Sequence, residues 1–89
     1  MLPLISVQKL KTAHKRASLN RLAILKSKEC RCFYCLSKFH PSKIQEWIDK
    51  DQTAICPECS VDSVIGDASD VDMSLGFFKR MKQYWFSEG

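Results

Sequence analysis

Apolar positions along the 89-residue chain fall into stretches of helical spacing separated by short β-branched runs. Val7, Leu10, Ala13 and Ala17 recur at three- and four-residue intervals, which predicts helix over residues 5–28 with Ser6 as a cap. Leu19, Leu22, Ala23 and Ile24 continue the apolar character on a shifted face. Ser18 and Asn20 prefer caps to helix interiors, so they mark a break between two shorter helices. Leu36 to His40 reads as a short strand. Residues 41–50 then read as a helix, with Ser42 and Gln45 at capping-box spacing and Ile44, Trp47 and Ile48 forming its buried face. Gln52 to Ile55 reads as a strand, and Val61 to Ile65 as another that ends at the Gly66-Asp67 turn. Asp72 or Ser74 caps a final helix, Leu75 to Phe86. There Phe77, Phe78, Met81 and Trp85 gather on one side, as a core face or a dimer interface would.

Between these elements lie Cys32-Phe33-Tyr34-Cys35 and Cys56-Pro57-Glu58-Cys59. Two C-x2-C pairs with an intervening stretch of this length carry the spacing of a four-cysteine metal site. Each pair closes a tight turn that aims two sulfurs at one point, and two such turns complete a tetrahedron of thiolates. One structural Zn2+ on Cys32, Cys35, Cys56 and Cys59 is therefore expected. A chain this short buries limited apolar surface. A structural zinc adds roughly 10–16 kcal/mol of apparent binding energy, which becomes folding energy. Cys30 is left over; it reads as a spare buried thiol, with replacement of Cys32 or reactivity beside Lys28 and Arg31 as the sharper readings. Phe33 and Tyr34 read as shielding for the metal, or as stacking surfaces for a base.

The residues after the second pair separate two architectures. A treble clef opens a helix there, whereas Val61-Asp62-Ser63-Val64-Ile65 favours a strand. The expected fold is thus a small α+β chain: a four-cysteine zinc ribbon, with a treble-clef-like variant as the alternative. A basic N-terminal helix, a short helix between the knuckles and a C-terminal helix complete it. Residues 1–28 read as the helical arm and 29–89 as the ribbon with its aromatic helix.

Charge divides the same way. Residues 1–43 hold ten Lys and Arg against one acid, Glu29, for a balance of +9; residues 44–89 hold four against nine, for −5. A basic front suits an anionic partner, or the two halves facing each other. The candidate contacts are Lys9, Lys11, Lys15, Arg16, Arg21, Lys26, Lys28 and Arg31. Asp67, Asp70 and Asp72 lack the ordered pattern of a calcium loop and read as a solvated connection. Lys9 and Lys11 interrupt the apolar start, which argues against a secretory signal. No run reaches membrane-spanning length, and an odd number of cysteines suits a reducing compartment. The expected setting is the cytoplasm, without a membrane partner.

The run Thr53-Ala54-Ile55-Cys56-Pro57-Glu58-Cys59 carries a wider pattern, with Val61-Asp62-Ser63-Val64-Ile65 behind it and Glu46-Trp47-Ile48-Asp49 ahead. It resembles a set of small bacterial and phage-associated cytoplasmic proteins with the pattern C-x2-C … T-A-x-C-P-x-C-x2-D-S-V-I. The resemblance spans roughly residues 32–67 and implies a zinc ribbon in the cytoplasm, with no established activity attached. Cys56-Pro57-x-Cys59 also resembles the second knuckle of rubredoxins, but Ser60 stands where those proteins often carry glycine.

A metal closed by four thiolates has no position open for water, and neither His14 nor His40 has a catalytic setting, so a binding module is expected rather than an enzyme. Nucleic acid bound through the basic helix is the leading partner. A protein partner comes second, or a second copy met through the amphipathic helices. Rubredoxin-like electron transfer comes third, because four thiolates also hold iron.

Overall fold

The computed structural model describes residues 7–86. Helix α1 spans Val7–Lys15 and helix α2 spans Arg21–Lys26. The predicted break therefore falls at residues 16–20, and the proposed Ser6 cap lies outside the described residues. Strands β1 (Cys30–Cys32) and β2 (Lys38–Phe39) bracket the first cysteine turn. Strands β3 (Trp47–Ile48) and β4 (Thr53–Ala54) precede the second, and β5 (Val64–Gly66) follows it. Helix α3 covers Leu75–Phe86. The result is a small α+β fold in the zinc-ribbon manner: a strand, not a helix, leaves the second pair, which decides against the treble clef.

The strands form two antiparallel sheets. In the first, β1 lies between β2 and β5, with Cys30 opposite both Phe39 and Gly66, and Cys32 opposite Val64. In the second, β3 pairs with β4 through Trp47 opposite Ala54 and Ile48 opposite Thr53. The helix expected over residues 41–50 is not formed. Pro41–Lys43 makes one 3₁₀ turn, capped by the His40 ring, whose Nδ1 accepts from the Ser42 amide at 3.1 Å. The chain then runs extended, and Ile55 N–H donates to the Glu46 carbonyl at 3.0 Å, which lengthens the β3–β4 ladder. Asp49, Lys50 and Asp51 turn the hairpin in consecutive left-handed conformations, with φ of 54°, 58° and 67°. A ten-residue helix is marginal in water, whereas pairing with β4 satisfies the same backbone and brings Cys56 back to the first pair. Ile44 is buried as expected, but Trp47 is half-buried and Ile48 exposed, the alternation of a strand instead of a helix face.

Two apolar clusters hold the layers together. Leu10, Ala13 and Ala17 pack with Phe33 and Ile65 and with Phe77, Phe78 and Met81 of α3. Ile24 of α2 packs with Cys30, Cys32, Ile44, Ala54, Cys56 and Val64. The apolar line of the N-terminal helix therefore seats it on the ribbon, except Val7, which is exposed. Ser74 caps α3, its Oγ accepting from the Phe77 amide at 3.2 Å, and Asp72 Oδ1 accepts from the Ser74 amide at 2.8 Å. That amide, then the Ser74 hydroxyl and the charge of Lys9, hold the Asp72 carboxyl below its ordinary range. Among the described residues, no helix is long and apolar enough to cross a membrane.

Buried Asn20 is the polar joint between helices and sheets. Its Nδ2 donates to the Arg16 carbonyl at 3.0 Å and to the Val64 carbonyl at 2.9 Å. Its Oδ1 accepts from the Ala54 amide at 3.2 Å. Next to it, the Leu19 amide donates to Thr53 Oγ1, and that hydroxyl donates to Asp49 Oδ2, both at 2.8 Å.

Candidate metal centre

The two cysteine turns are copies of one local structure. Cys32 N–H donates to the Ser37 carbonyl and Cys56 N–H to the Val61 carbonyl, each at 3.0 Å. Leu36 N–H returns to Cys32 O and Ser60 N–H to Cys56 O, each at 2.9 Å. Leu36 and Ser60, which follow the second cysteine of each pair, share a left-handed φ of 67°. This conformation reverses the chain and points the intervening amides inward. Tyr34 N–H donates to Cys32 Sγ at 3.3 Å, and Glu58 N–H to Cys56 Sγ at 3.4 Å. The Cys35 and Cys59 amides reinforce the same two sulfurs, and the Ser37 and Val61 amides serve Cys35 and Cys59. Donors aimed at sulfur favour the thiolate, the form that binds metal.

The four sulfurs of Cys32, Cys35, Cys56 and Cys59 all lie within 4.8 Å of one another. Across the two turns, Cys32 Sγ stands 3.6 Å from Cys59 Sγ, and Cys35 Sγ stands 3.7 Å from Cys56 Sγ. Metal–sulfur bonds of about 2.3 Å in a tetrahedron require sulfur separations of about 3.8 Å. The donor set therefore fits a thiophilic, tetrahedral ion, and the four cysteines form a metal-binding arrangement. Burial disfavours the Cys35 thiolate, but the Ser37 donors, followed by the Cys56 and Cys59 thiols, outweigh it and hold the group down to about 7. Burial pushes Cys59 up to about 11 and Cys56 above the ordinary thiol range. A cation that binds these sulfurs displaces whatever protons they carry, so metal binding is linked to pH.

Cys30 stands outside this group. It is fully buried in the strand before the first turn, and burial, then the charges of Asp67 and Glu29, push its thiol up to about 12. It is a packed, free thiol, as its place outside the two C-x2-C pairs predicts. Ser63, by contrast, was passed over at the sequence level. Its hydroxyl is buried 3.0 Å from Cys32 Sγ, within hydrogen-bond distance of one of the four sulfurs and able to donate to its thiolate. The signal in the sequence was thin: a small polar residue just before the buried Val64-Ile65 pair.

The eight candidate cations separate into two groups. Lys9, Lys11, Lys15, Arg16, Lys26 and Lys28 are exposed. Arg21 and Arg31 are half-buried and occupied. Arg21 Nη1 donates to the Asp51 carbonyl at 3.0 Å, and its guanidinium lies 4.6 Å from the Trp47 ring centroid. Arg31 Nη1 donates to the Leu36 carbonyl at 3.0 Å, bracing the left-handed residue of the first turn. Among the described residues the one ion pair is Lys38 with Glu29 at 3.4 Å, so none of the six exposed side-chain charges is ion-paired there. Lys9 nonetheless acts on the Asp72 carboxylate, and the Lys28 backbone amide donates to Asp67 Oδ1 at 3.0 Å. Phe33 is buried, whereas Tyr34 is exposed with Lys82 5.7 Å above its ring. Compared with known proteins, the chain matches no family model, no curated protein and no solved structure.

Proposed function

We propose that the chain is a zinc-folded module of the cytoplasm that binds nucleic acid through the exposed cations of its N-terminal helices. The observation that carries this reading is the set Lys9, Lys11, Lys15, Arg16, Lys26 and Lys28, all exposed and none ion-paired among the described residues. Lysines and arginines in this state are available to neutralise phosphates and release the counterions condensed on a nucleic acid. Zinc is the reading for the metal because four thiolates close its shell, which leaves no position for water and suits a structural role. The module is thus a binder and not an enzyme. Its likeness to the small bacterial and phage-associated zinc-ribbon proteins is part of the same proposal. Iron in the same thiolates would make a coloured, redox-active electron carrier; a colourless preparation with one zinc per chain excludes it.

The test is salt-dependent binding of the zinc-loaded chain to mixed-sequence DNA and RNA, beside a variant with Lys11, Lys15, Arg16 and Lys26 reversed to Glu. Arg21 is left intact because it holds the β3–β4 hairpin. Binding should weaken with salt, with a log–log slope of about −0.7 to −0.9 per phosphate contacted, and the variant should lose it. Failure to bind at low salt overturns the reading.

A second reading has its own observation. Leu19, Leu22 and Leu25 are 70%, 72% and 57% exposed on α2 and the turn before it, an apolar patch that a protein partner or a second copy would cover. Leu22→Glu should then abolish partner capture or dimer formation and leave nucleic-acid binding intact.

A further inference from the structure

The charge division seen along the sequence is not the division of the folded surface. The helices α1, α2 and α3 contain eight Lys and Arg and no Asp or Glu, so the acids of the described residues lie in the strands, turns and loops. Packing α1 against α3 through Leu10, Ala13, Phe77, Phe78 and Met81 joins two acid-free cationic elements from opposite ends of the chain. Between them runs an open groove of about 290 Å³ lined by Val7, Leu10, Arg80, Gln83 and Tyr84.

Its wall is an aromatic ring held from behind. Tyr84 is 43% exposed, and its ring stands at 84° to that of Trp85 with centroids 4.9 Å apart. Trp85 lies in turn 4.0 Å from the ring of His14 on α1, so the tyrosine is braced against both helices. The floor is apolar, from Val7 and Leu10. The lining holds one cation, Arg80, whose Nη1 donates to Gln83 Oε1 at 3.3 Å; beyond it, exposed Lys79 and Lys11 stand one helical turn from the lining residues Gln83 and Val7. A flat aromatic ligand tied to a polyanion matches a braced ring, an apolar floor and these cations together.

We infer that this groove takes an unpaired base of single-stranded nucleic acid, stacked on Tyr84, while the flanking phosphates run over Arg80, Lys79 and Lys11. The inference rests on the nucleic-acid reading and deepens it by naming the form bound. In a duplex both faces of each base are already stacked, so only a single strand offers the surface that Tyr84 presents.

The experiment uses fluorescence anisotropy of the zinc-loaded full chain against three probes of equal phosphate number: a short oligothymidylate, an abasic deoxyribose-phosphate oligomer and a duplex. Oligothymidylate should bind about tenfold more tightly than the abasic oligomer, the contribution of roughly one stacked base. Tyr84→Ala should erase that difference without changing the salt slope, and Tyr84→Phe should retain it; retained metal stoichiometry shows that both variants are folded. Equal binding of thymidylate and abasic probes, unaffected by Tyr84→Ala, overturns the inference and leaves the phosphate-binding reading standing. A duplex bound as tightly as the single strand also overturns it. No binding of any probe at low salt overturns both.

Discussion

Asn20 Nδ2 donates to the Val64 carbonyl at 2.9 Å, a bond that spans 44 residues of sequence and ties the turn between α1 and α2 to strand β5. The same amide accepts from Ala54 of β4, so one side chain joins the helices to both sheets. Asn20→Ala strips a buried carbonyl and a buried amide of their partners at once. We expect a loss of about 2–4 kcal/mol, from roughly 1–3 kcal/mol for each unsatisfied group. Denaturant unfolding of the metal-loaded chain measures it. A loss below about 1 kcal/mol would mean that the joint does not form.

The ligand set predicts a sharp contrast among the five cysteines. Cys32→Ser, Cys35→Ser, Cys56→Ser and Cys59→Ser should each lose the metal and the fold. Cys30→Ser should keep one ion per chain, because its sulfur is not among the four gathered at the site. It should nonetheless lose about 1–3 kcal/mol, since a hydroxyl at a fully buried position has no partner to replace water. Native mass spectrometry reads the stoichiometry; metal lost from Cys30→Ser but kept by Cys32→Ser would move the ligand assignment two residues back along β1.

Ser63 tests whether the surroundings of the sulfurs matter. Removing a hydrogen bond to a metal ligand ordinarily costs 10- to 100-fold in metal affinity. Ser63→Ala should therefore lower affinity within about that range in a chelator competition, and Ser63→Thr should restore it. An unchanged affinity in Ser63→Ala would reduce the 3.0 Å contact with Cys32 to packing alone.

Gly66 is required by close approach and not by backbone conformation, since its φ of −98° suits any residue. A Cβ there would collide with Ser27 Oγ and approach Ser27 Cβ to 2.9 Å. Ser27 cannot swing aside cheaply, because its hydroxyl donates to the Ala23 carbonyl at 2.8 Å and accepts from the Ala68 amide at 3.0 Å. Gly66→Ala should lose about 1–3 kcal/mol, the usual cost of overpacking. Adding Ser27→Gly should recover part of it, measured by the shift in the unfolding midpoint.

How much of this was legible in advance follows from the range of each interaction. The four metal ligands could be read from spacing, because a C-x2-C turn is closed by its own backbone and needs only a second copy nearby. The ends of α3 were equally local, set by apolar periodicity and by the Ser74 cap. The break between α1 and α2 fell at the predicted Ser18 and Asn20, although the helical stretch read over 5–28 extends past the ends of both helices. The segment 41–50 was misread because its apolar spacing satisfied a helix template, while the deciding partner, β4, lay beyond it in the chain and could not be seen from the segment. Asn20 was legible as a helix breaker but not as a joint, since its two decisive partners are 34 and 44 residues away. The same limit hid α3. Counted by halves, its Lys79, Arg80 and Lys82 vanish into an acidic total; packed on α1, they extend a basic surface. Sequence alone thus determined what depends on neighbours along the chain, the metal turns and the helices. Tertiary structure decided which side chains are consumed by the fold, such as Arg21 and Arg31, and which surfaces meet, because both follow from contacts that only the closed chain creates.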